Sequence, residues 1–191
     1  MDADFTIELG REDPALEFPW TDPEGKCAYY DLKHHPEQLA HIEEAGAFAE
    51  LAEFLRMLNS AMSMVESAKC DIWTTDQLTA EEEIFAACCK CASYVDIVFS
   101  AEDRRFSFPL HELLAKRLVE LLRKTPETPS SAEACVRRCF FRRMDDVVEG
   151  FYVTLYVTGY GDDAARARKT WGIASRLAAN AILQLSASGL A

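Results

Sequence analysis

Phe151-Tyr152-Val153-Thr154-Leu155-Tyr156-Val157-Thr158 alternates two kinds of side chain over eight positions. Period-two alternation of β-branched and aromatic residues predicts a half-buried strand. Phe151, Val153, Leu155 and Val157 share one face, which reads as core, while Tyr152, Thr154 and Tyr156 share the other. Tyrosine joins a large ring to a polar tip. The second face is therefore expected either to line a shallow pocket, to meet another subunit, or to lie under a helix or the N-terminal residues.

Tyr94-Val95-Asp96-Ile97-Val98-Phe99-Ser100 has a similar pattern, and each of the two stretches leads through a turn into a helix. An internal duplication would account for this, although similar strands also look alike, and the two stretches are expected to be neighbouring strands in one helix-backed layer. Around them, strands are predicted near Phe5–Leu9, Lys26–Leu32, Lys69–Thr74 and Ile84–Ser100, with Arg105–Phe108 folding back as a hairpin. Helices are expected from Pro36 to about Asn59, broken at Gly46, from Pro109 to near Lys124, and from Asp162 or Asp163 to about Ala187. Ala134–Arg142 reads as strand or helix. The order suggests an α+β fold in which an antiparallel-rich sheet carries helices mainly on one face. It contains the β-α-β-β-α-β order of ferredoxin-like sheets plus one strand and one helix. Residues 1–25, acidic and proline-containing, are expected to form an arm over a single domain spanning 26–191.

With 191 residues, 49% of them hydrophobic, the chain is long enough to bury roughly 70% of its unfolded surface without disulfides or a structural metal. Its formal charge of −12 resides mostly in the first 60 residues. A bulk acidic surface repels phosphate backbones and anionic lipid, so nucleic-acid and membrane-surface binding are disfavoured. No apolar run approaches a bilayer span, and Met1–Phe5 has no signal-like pattern, so a cytoplasmic location is expected. Seven cysteines, an odd number and clustered, are expected as reduced thiols.

Several constellations bear on chemistry. Gly159-Tyr160-Gly161-Asp162-Asp163-Ala164 matches G-x-G-x-x-A, but two carboxylates stand where a pyrophosphate would sit, so a capped tight turn is the expected reading. Cys88, Cys89 and Cys91, with Cys70, Cys135 and Cys139, read as core packing. Glu37, His41 and Glu44 stand at i, i+4 and i+7, a candidate row of metal ligands, although a solvated helix face produces the same pattern. His111, at a helix start, reads as a surface or capping residue. Arg137, Arg138, Arg142 and Arg143 are anion-binding candidates, with pairing to the 32 acids as the default.

The function expected from these readings is an α+β binding or interaction module. It would self-associate, or bind a protein partner or small ligand, through the face carrying Tyr152, Thr154 and Tyr156, with no cofactor. The alternative is a metal- or thiol-dependent enzyme using Glu37, His41 and Glu44 or the Cys88–Cys91 cluster.

Overall fold

The computed structural model describes residues 1–22, 24, 25, 28–143 and 146–190, and the backbone alone at 81, 83 and 84. In chain order the elements are β1 (Asp2–Glu8), β2 (Ala15–Phe18), α1 (Glu43–Ala47), α2 (Ala49–Leu58), β3 (Val65–Thr75), β4 (Cys89–Phe99), α3 (Phe108–Arg123), β5 (Ser130–Arg143), β6 (Asp146–Gly161) and α4 (Ala164–Ser188). Short 3-10 turns occupy Pro36–His41, Ala80–Phe85 and Glu102–Phe106.

One six-stranded sheet runs β1-β5-β6-β4-β3, and β2 follows β1 along the same outer edge of β5. β1 and β2 are parallel to β5, and the other pairings are antiparallel. Alternation sorts the side chains. Val95, Ile97, Phe99, Val153, Leu155 and Val157 point to one face and bury against α2, α3 and α4. Trp171 of α4 is fully buried there, and its indole N–H donates to Ser93 Oγ at 2.9 Å. The opposite face carries a smaller apolar cluster, including Leu16, Phe18, Cys139, Phe141 and Tyr152, and is roofed by the N-terminal segment.

The predicted antiparallel-rich sheet with helices on one face is present; the ferredoxin-like order is not confirmed, since β6 lies between β5 and β4 in the sheet. After the N-terminal strands the order is α-α-β-β-α-β-β-α. Four local expectations are also corrected. In the segment predicted as a strand at 26–32, the described residues show a single bridge, Thr21 with Ala28, while Lys26 and Cys27 lie outside the described residues. The helix over 36–59 breaks at Ile42 and Phe48, both extended, rather than at Gly46, which lies inside α1. Arg105 and Phe106 belong to a 3-10 turn, and Phe108 opens α3, so no hairpin forms. Phe85 and Ala87 precede β4 instead of extending its buried face.

Gly159-Tyr160-Gly161 ends β6 rather than turning the chain, and its glycines serve close approach. A Cβ on Gly159 would lie 2.1 Å from the Trp171 backbone nitrogen, and one on Gly161 would lie 2.5 Å from that of Ala167. Side-chain-free strand backbone thus lets α4 rest directly on β6. Asp163 caps α4 by accepting from the Arg166 N–H at 2.8 Å.

The two similar stretches meet at the centre of this sheet. Matching Tyr94 with Tyr152 places Asp96 on Thr154, and these two residues are direct cross-strand partners in the β4–β6 pairing. The element order β-β-α also recurs, as β3-β4-α3 and β5-β6-α4. This is the arrangement an internal duplication would produce.

Candidate functional site

Sheet register sets the site. Lys69 on β3 stands opposite Asp96 on β4, Asp96 stands opposite Thr154 on β6, and Arg137 on β5 stands opposite Tyr152. All point to the face away from the helices. Together with Tyr94, Tyr156 and the N-terminal residues Leu16 and Trp20, they wall a cavity of about 220 Å³. That is space equivalent to about seven liquid waters.

Asp96 is 6% exposed, and Oδ1 accepts the Thr154 hydroxyl at 2.7 Å. Burial pushes its carboxyl up to about 6, and the Thr154 hydrogen bond and the charges of Lys69 and Arg137 limit the rise. Arg137 uses one terminal nitrogen for both Thr154 Oγ1 and the Tyr156 hydroxyl, each at 2.9 Å, and its Nε donates to Glu8 at 2.8 Å. The guanidinium is thus tied to β1 on one side and to β6 on the other.

Lys69 is different. Its ammonium lies 4.5 Å from the centroid of the Trp20 ring and 5.8 Å from that of Tyr94. Among the described residues it makes no hydrogen bond or ion pair. Burial raises the ionisation of the Tyr94 and Tyr152 hydroxyls far above the usual phenol value, so both remain neutral donors. A neighbouring cleft of about 340 Å³ shares Trp20, Lys69 and Tyr94 and extends to Tyr30, Glu43, Glu44 and Asp71.

Of the residues expected from sequence, Tyr152, Thr154, Tyr156 and Arg137 converge here. Tyr152 and Thr154 are buried, at 3% and 1% exposure, so this face is a cavity wall rather than a flat surface. The remaining arginines lie elsewhere and have protein acceptors: Arg138 with the Gly10 carbonyl, Arg142 with Glu17, and Arg143 with Glu102. Glu37 and His41 belong to a 3-10 turn, while Glu44 follows the break at Ile42, so the proposed i, i+4, i+7 row does not exist. Among the described residues, no three His, Cys, Asp or Glu side chains are grouped to hold a metal. Burial raises the Cys91, Cys135 and Cys139 thiols and takes Cys70 to about 12, which disfavours thiolate chemistry.

His111 is also corrected. It is 1% exposed, with Nδ1 2.8 Å from the Ser107 carbonyl and its ring edge-on to Phe99, and burial lowers its pKa to about 4. Sequence reasoning passed over Lys69, Tyr94 and Asp96. A signal existed for Asp96, because a lone carboxylate inside Tyr94–Phe99 interrupts an otherwise apolar strand.

No family model matches the chain, and neither a curated protein nor a solved structure matches it.

Proposed function

We propose that the protein is a binding module for a small polar molecule, held on the sheet face between the central strands and the N-terminal segment. The observation that carries this reading is the convergence of a buried carboxylate, Asp96, and an ammonium with no ion-pair partner among the described residues, Lys69, on the wall of one cavity. Buried charge is expensive unless it is matched, and a perturbed group in a cleft is a mark of function. The concave, aromatic-lined shape with few polar groups fits small-ligand sites. The burial of Tyr152 and Thr154 favours a ligand over a second subunit on this face.

The test is thermal denaturation of the purified protein against four probe classes: small carboxylates, small amines, amino acids and neutral polyols. At least one class is expected to raise Tm, because a ligand that binds only the folded state stabilises it by mass action. Lys69→Met should abolish the rise, while Lys116→Met on the exposed face of α3 should not. Absence of any stabilisation, or equal responses of both variants, would refute the reading.

A further inference from the structure

Lys69 and Asp96 are cross-strand partners on one sheet face. Side chains at directly opposed positions start only about 5 Å apart, well within the reach of a lysine. If their role were structural, these opposite charges would pair with each other. They do not: no ion pair joins them, and Lys69 instead leans over Trp20. Asp96 accepts one hydrogen bond among the described residues, at Oδ1 from Thr154.

The cavity therefore presents a buried carboxylate and a separate ammonium that form no direct ion pair with each other, with the rings of Trp20 and Tyr94 beside the ammonium. Arg137, whose charge also acts on Asp96, is already engaged by Glu8, Thr154 and Tyr156. Nearby donors and acceptors are phenol hydroxyls, which recognise polar groups without favouring either sign. A lone anion would satisfy Lys69 and leave Asp96 repelling it, and a lone cation would do the reverse.

Building on the small-ligand reading above, we infer that the ligand is a compact zwitterion of the α-amino acid type. Its carboxylate meets Lys69 and its ammonium meets Asp96. Both charges of the ligand are then matched by charges already fixed on adjacent strands, and the side chain lies against Trp20 and Tyr94.

Isothermal titration with the proteinogenic L-amino acids tests this, followed by the amide and the des-amino acid of the tightest binder. The zwitterion should bind about tenfold or more tightly than either derivative, the range expected for loss of a charge-assisted hydrogen bond. Asp96→Asn should erase the preference over the des-amino acid, and Lys69→Met should erase the preference over the amide. Circular dichroism confirms that each variant is folded. If a simple carboxylate or amine binds as tightly as the amino acid and Lys69→Met weakens it, the zwitterion assignment fails while the small-ligand reading stands. If no amino acid, carboxylate, amine or polyol binds, both fail.

Discussion

Thr154 donates its hydroxyl to Asp96 across the β4–β6 seam at 2.7 Å, and the two residues occupy equivalent places in the two similar strands. At this central pair one strand supplies the acceptor and the other the donor. Arg137 bonds to the same hydroxyl, so the pair links a guanidinium–glutamate pair on β5 and β1 to a buried carboxylate on β4.

The Asp96 carboxyl titrates near 6, above its ordinary value of 3.8. Between those values the folded state binds more protons than the unfolded state, so this group makes stability fall as pH rises from about 4 to about 6. A shift of this size corresponds to roughly 3 kcal/mol. Urea unfolding of Asp96→Asn across pH 4–8 should lack that fall. Parallel pH profiles for the variant and the parent would contradict the assignment.

His111 works in the opposite sense. Its folded pKa near 4 lies below the usual 6.5, so the unfolded state takes up the proton first, and stability is lost as pH falls from about 6.5 to about 4. The imidazole resonances of His111 should show the neutral ring at pH 5. Replacement by Asn, which preserves a donor toward the Ser107 carbonyl, should flatten this acid-side loss, worth on the order of 3 kcal/mol.

Arg137 and Glu8 are unequal partners. The Arg137 side chain is 11% exposed and that of Glu8 is 38% exposed. Removing Arg137 with Met strips Thr154 and Tyr156 of a donor and should destabilise by about 1–3 kcal/mol. Glu8→Gln should cost less than about 1 kcal/mol, since water reaches that carboxylate. Equal losses in chemical denaturation would show that the ion pair, rather than the network with β6, dominates.

Two glycines should respond in opposite directions to alanine. At Gly159 the new methyl would collide with the Trp171 backbone, and lifting α4 off β6 should cost about 3 kcal/mol or more. Gly46 is exposed within α1 with open space around it, so Gly46→Ala should be neutral or stabilising by up to about 1 kcal/mol. Thermal midpoints of the two variants measure the contrast directly.

For Tyr94–Phe99 and Phe151–Thr158 the sequence by itself determined that the chain is extended and which face it buries. Tyr152, Thr154 and Tyr156 share a face because side chains alternate along any strand, and alternation is local. It also determined the long helices, through their apolar spacing and starts such as Pro109 and Asp163. The likeness of Phe151–Thr158 and Tyr94–Ser100 leads to the expectation that they are neighbouring strands, and they are, but it does not reveal that Asp96 stands between Lys69 and Thr154, because register joins residues dozens of positions apart. Nor did spacing show that His111 is buried or that the row Glu37, His41, Glu44 is broken by an extended residue. Only the tertiary structure decided those points, since burial and the meeting of charges depend on which surfaces pack together, and packing is a property of the whole chain.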